Sequence, residues 1–386
     1  MNKRQLITAV VAVVLVGFSV LSVKVQISRA AGSTIYINSD GSFSPSDAPI
    51  QRAGNRYTLN GNITSDADGI VIQKDSVTLD GAGFTIQGSE QSESRGIDVS
   101  GKSNVAIKNT NIRGFQYGIN LYSVSKCTVT GNNVTNNRAP DGGMGIKMRI
   151  SSNCTISDNV ILNNTYSNVW IFTSHEIILT RNILSHSFYG IFAYNGCTND
   201  TVNENTISSN FYGIRLDDVT FCVISRNNMT DNNRTISFSL CFNNTIFQNN
   251  IINSSEYEVE LFTSSNNTFH SNNFLDNTHR IYMTSSTNLW NQSYPLGGNY
   301  WSDYNGTDQY KGPNQDQNGT DNIGDTPYTI GPDADGYPLM VPWLPSANPL
   351  PSSSDFTLYA VAITIVVVSV SALAVAKWKL RKGKHA

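Results

Sequence analysis

Charge is what this chain of 386 residues has least of: Lys, Arg, Asp and Glu make up only 14% of it, and the formal net charge is −3. Without a basic field, nothing offers to hold a phosphate backbone, which excludes nucleic acid as a partner. The five histidines are scattered and the six methionines never cluster, so little converges for a soft-metal site. Five cysteines are an odd and small number for the length, which argues against a disulfide framework. What is present is 10% aromatic residues, a steady supply of Ile and Val, and polarity carried by Asn, Ser, Thr and Gly. Such a composition packs a core.

Both ends read as membrane segments. Lys3 and Arg4 precede an apolar run from Leu6 to Val23, and Ser28-Arg29-Ala30 follows as a small-x-small cleavage site. This predicts a secretory signal over residues 1–30, the alternative being an uncleaved anchor. Thr357 to Ala376 carries no charge and is long enough to span a bilayer as a helix. Lys377, Lys379, Arg381, Lys382 and Lys384 follow, so the tail (377–386) is expected in the cytoplasm and the bulk outside the cell membrane.

Between these ends the sequence repeats. CTVTGNNV at 127 has relatives at 154, 177, 200, 222, 244 and 267, and a weaker copy at 105, in steps of 22 to 27 residues. A second element, YGINL at 117, recurs as YGIFA at 189, YGIRL at 212 and YEVEL at 257. Its apolar residues alternate as on a half-buried strand. Val202 and Ile207 lie an odd interval apart, so the chain must turn between them. Each unit thus predicts three short strands that cannot bury their apolar side alone. Stacked coils bury it, giving an all-β parallel β-helix with about 22–23 residues per coil over 61–295. Right-handedness follows from the general crossover preference. The Leu framework of leucine-rich repeats is missing.

Asn132, Asn159, Asn182, Asn205, Asn227, Asn249 and Asn272 share the sixth position of their units. They are expected to stack at a corner, tolerating its left-handed backbone and hydrogen-bonding from coil to coil. Cys127, Cys154 and Cys222 share the first position, and free, packed thiols are expected.

With its coils placed, the chain resembles the NosD-like right-handed β-helix surface proteins of the pectin-lyase-like superfamily. The resemblance rests on the repeats and on GGNYWSDYNGTD with NIGDTPYTIGPDADGYPLMVPW, over 297–343. That segment breaks the period and is expected to cap one end (296–344), with residues 31–60 capping the other and a Pro/Ser stalk over 345–356. The resemblance implies periplasmic copper handling, but the scattered histidines depart from that picture and make copper a poor expectation. It also implies polysaccharide hydrolases or lyases as relatives. For such an enzyme, Asp217 and Asp218 beside Arg215 are the candidate catalytic acids, although adjacent strand residues face opposite ways.

A binding surface is the stronger expectation. The outward residue of the YGIRL element reads Asn120, Lys147, Trp170, Phe192, Arg215, Ser237, Glu260 and Tyr282 down the coils. Lys147, Trp170, Phe192 and Arg215 are expected to form an exposed aromatic strip with cations at its ends, suited to a glycan or another extracellular polymer. The competing expectation is that the loop near Asn136 to Gly143 covers it. Asn314, Asp316, Asn318 and Asp325 are spaced as oxygen ligands of a candidate calcium loop. Thirteen Asn-x-Ser/Thr sequons, only slightly more than composition predicts, mark candidate glycosylation sites.

Overall fold

A computed structural model describes residues 32, 34–277 and 281–344. The expected signal, stalk, membrane span and basic tail lie outside the described residues. Among those described there is no helix long and apolar enough to cross a membrane.

Each coil contributes one long and two short strands, as in Tyr117–Tyr122, Thr128–Thr130 and Asn133–Thr135. Like strands pair in parallel from coil to coil and build three sheets of 12, 11 and 11 strands. Register is strict: Ile119 lies beside Ile146, Ile146 beside Val169, and Val169 beside Ile191. The product is a right-handed parallel β-helix of about 11 turns. The first coil begins at Ile35–Ile37, which already pairs in parallel with Ile70–Ile72, while Ile50–Ala53 and Arg56–Leu59 form an antiparallel hairpin.

The core is a set of apolar columns. Val129, Ile156, Leu179, Val202, Ile224 and Ile246 line one inner wall, and Val134, Ile161, Leu184, Ile207, Met229 and Ile251 another, all at most 4% exposed. Each such side chain contributes roughly 1.5–3 kcal/mol of burial. The turn required between Val202 and Ile207 falls at Glu204, with φ 56°.

The seven asparagines stack and hydrogen-bond from coil to coil as expected, but the expectation for their backbone needs correcting. The left-handed residue at this corner is the one before the column: Gly131, Asp158, Arg181, Glu204, Arg226, Gln248 and Ser271 all have positive φ. The asparagines turn inward instead. Asn182 donates from N (2.9 Å) and Nδ2 (3.0 Å) to Asn205 Oδ1, and from Nδ2 to Ile156 O (2.8 Å). Each amide thus spends both donors and its oxygen on the neighbouring coils, which is why a polar column survives in the core. The column also runs one coil further, to Asn299.

At the C-terminal end, aromatic rings continue the apolar columns: Trp301 stacks on Phe274 at 4.2 Å, Tyr328 on Trp301 at 4.3 Å, and Trp290 on Phe269 at 4.5 Å. The asparagine column ends on Asp335, which accepts from Asn299 N (2.7 Å) and Trp301 Nε1 (2.9 Å). A second column, at the corner after the long strand, runs through Asn244, Asn267 and Asn288. It ends on Asp333, which accepts from Asn288 N (2.9 Å) and Trp290 Nε1 (3.3 Å). Both aspartates belong to the hairpin of Tyr328–Ile330 and Asp333–Asp335.

Candidate functional site

The long-strand sheet turns a continuous outer face to solvent. In Tyr212–Thr220, Ile214 and Leu216 point into the core, while Tyr212, Arg215 and Asp217 are partly exposed. Gly213 separates the two sets because a Cβ there would stand 2.6 Å from Thr235 O of the next coil. That close approach explains the recurring Tyr-Gly. Repeated down the coils, the strand makes three rows, one through Tyr117, one through Asn120 and one through Tyr122.

Lys147, Trp170, Phe192 and Arg215 are in register on consecutive coils. Their predicted exposure is wrong for the two aromatics: Trp170 is 8% and Phe192 9% exposed. Rings of the flanking rows lean over them. Phe192 is sandwiched between Tyr189 at 4.6 Å and Tyr194 at 4.8 Å, and Trp170 stacks on Phe172 at 5.8 Å. The loop near Asn136 to Gly143 is not the cover, for its Arg138 and Asp141 reach Glu90 and Ser92. The accessible row is the one two residues later: Tyr122, Arg149, Phe172 and Tyr194. The same alternation marks it in the sequence, but a five-residue repeat word ends before reaching it.

Beyond the aromatic stretch lies a charged cluster. Arg215 Nε is 2.7 Å from Asp217 Oδ1, and its Nη1 is 3.7 Å from Glu260 Oε2 and 2.6 Å from Ser237 Oγ. Arg234 grips Glu256 through Nη2 (2.7 Å) and Nε (3.1 Å) and reaches Glu260 with Nη1 at 3.0 Å. The Glu260 side chain is only 3% exposed. Arg215 thus links two acids, Asp217 on its own strand and Glu260 two coils further on, by reaching past Ser237. The pair proposed from the sequence does not form. Asp217 is engaged by Arg215, with burial holding its carboxyl above the usual range, and Asp218 sits at an exposed left-handed corner with φ 56°. Two arginines and a buried glutamate of this kind brace three coils.

Of the candidate calcium residues, two already have protein partners. Asp325 spends both oxygens on Thr307 Oγ1, Gln309 N and Tyr310 N, and Asn318 lies in a hairpin opposite Tyr310. Copper fares no better. His270 Nε2 meets Gln292 Nε2 at 3.0 Å, His186 Nδ1 bonds Ser185 Oγ, and all five thiols are free and buried in the core. Among the described residues no three His, Cys, Asp or Glu side chains gather to hold a metal ion.

Two family models match the chain. One described as periplasmic copper-binding protein (NosD) covers residues 162–306, and one described as right handed beta helix region covers 33–207. No curated protein matches it in sequence. Among solved structures, a mutant of the periplasmic alginate epimerase AlgG is 12% identical over 66% of this chain and 82% of that one, with a TM-score of 0.47. The Dettilon tailspike protein is 14% identical over 68% of this chain and 61% of its own, with a TM-score of 0.46. DFA-IIIase from Arthrobacter chlorophenolicus, in complex with GF2, is 12% identical over 61% of this chain and 65% of that one, with a TM-score of 0.45. On its coils and on the two family matches that between them span residues 33 to 306, the chain is a NosD-like right-handed β-helix protein.

Proposed function

We propose that this chain is an exported, membrane-anchored binding module of the cell surface, and that the outer face of its long-strand sheet takes a glycan or a similar extracellular polymer. Export and anchoring rest on the segments 1–30 and 357–376. The observation that carries the binding is the accessible row of Tyr122, Arg149, Phe172 and Tyr194 over a buried aromatic floor. Its four residues lie on consecutive coils, and Tyr122 is 41% exposed. Flat ring faces beside hydrogen-bonding tips suit the alternating apolar and hydroxyl faces of a sugar chain. A rigid sheet presents them with little ordering cost on binding. The charged cluster of Arg215, Arg234 and Glu260 stiffens the same face, which favours binding over catalysis by that cluster. A glycan array with the full chain tests the reading. Phe172→Ala plus Tyr194→Ala should lower binding at least tenfold with the fold retained, and undiminished binding would sink it.

A further inference from the structure

Cations on this face are treated in two ways. Arg95 has Asp68 and Glu93 within reach, Arg215 has Asp217 and Glu260, and Arg234 has Glu256 and Glu260. Each of these charges is neutralised in place. Lys147 and Arg149 are different. They lie two apart on Met144–Arg149, and among the described residues neither has a carboxylate within ion-pairing distance. Their neighbours are rings. Lys147 Nζ stands 3.8 Å from the centroid of Tyr117 and 5.7 Å from that of Trp170. Arg149 Cζ stands 5.7 Å from the centroid of Tyr122 and 5.2 Å from that of Phe172.

A ring face holds a cation in place and leaves its charge uncancelled, which a carboxylate partner does not. We infer that Lys147 and Arg149 form an anion subsite within the binding face, selecting polymers whose sugars carry carboxylate or sulfate groups. This rests on the polymer-binding reading above and adds the charge of the ligand. Two residues along a strand put the two cationic groups on one side, roughly 7 Å apart along the chain direction. An acidic substituent pairs with one of them while its sugar ring lies on Phe172. Burial also lowers the basicity of Lys147, as expected of an ammonium short of water and of a counter-ion. Glu93 is the carboxylate whose charge reaches Lys147, and it stands 3.9 Å from Arg95.

The test compares three hexasaccharides on the full chain: a uronic-acid hexamer, a sulfated glucan hexamer and the neutral glucan hexamer. Wild type should prefer one or both acidic ligands by about tenfold or more, since each charge-assisted contact is worth most of that factor. Which acidic ligand wins distinguishes carboxylate from sulfate. Lys147→Gln plus Arg149→Gln should bring the ratio of acidic to neutral affinity to about one. Arg113→Gln plus Arg226→Gln, which removes the same charge elsewhere on the coil, should leave the preference intact. Binding of all three ligands with equal affinity, or a preference that survives Lys147→Gln plus Arg149→Gln, overturns the anion subsite and leaves the binding reading standing. Failure of all three to bind overturns both.

Discussion

Asp200 occupies a position in the second column where later coils carry Asn244 and Asn267. It accepts from Ile177 N at 2.8 Å through one oxygen, and the other has no partner. Burial pushes its carboxyl up to about 7, and pushes that of Asp335 up to about 6 despite the N–H donors around it. Both values lie above the unfolded one, so both contributions are fully present below about pH 4 and fade as pH rises through 6 and 7. Stability should therefore fall between about pH 4 and pH 7. Asp200→Asn should raise the denaturation midpoint at pH 8, by an equivalent of about 2–4 kcal/mol, and the gain should shrink towards zero near pH 4. In the first column, Asn205→Ala strips Asn182 of its acceptor on the next coil and removes the amide donor to Leu179 O. A loss of about 2–4 kcal/mol in urea unfolding is expected.

At the scale of the strand, the outer rows divide the work. Trp170 and Phe192 are floor, so Trp170→Ala should cost about 2–4 kcal/mol of stability. Phe172→Ala should act mainly on binding, a contrast that thermal melts and ligand titration separate. How much of this was legible depended on period. Alternation within YGIRL gave the inward and outward sets, and the 22-residue step gave the register that puts Lys147, Trp170, Phe192 and Arg215 side by side. Exposure was not legible, because it depends on how the rings of Tyr189 and Tyr194, on the same strand, turn across Phe192, and alternation does not record that. The link from Arg215 past Ser237 to Glu260 was hidden for the same reason: a long side chain skips a coil, and no local pattern records that. The loop holding Asp325 looked like a cation site because oxygen-rich turns share one composition, whether they bind a metal or their own backbone N–H groups. Excess EDTA should accordingly leave the melting temperature unchanged.

For the whole molecule, the fold was the most legible part, since one coil repeated many times states its solution many times. The ends were the least legible, because each end occurs once. The GGNYWSDY and PDADGYPL segments showed a break in period, but not that Trp290, Trp301 and two aspartates would complete two separate hydrogen-bond columns. A solenoid whose coils all offer the same ladder has no intrinsic length, and any coil can template another. The hairpin of Asp333 and Asp335 supplies the stop: its carboxylates take the last column's donors, and as carboxylates they have no amide to offer onward. It therefore works as a terminator against end-to-end growth as well as a lid. A chain ending at residue 295 should add copies at its bare coil and form fibres visible by electron microscopy, whereas the full-length molecule stays discrete.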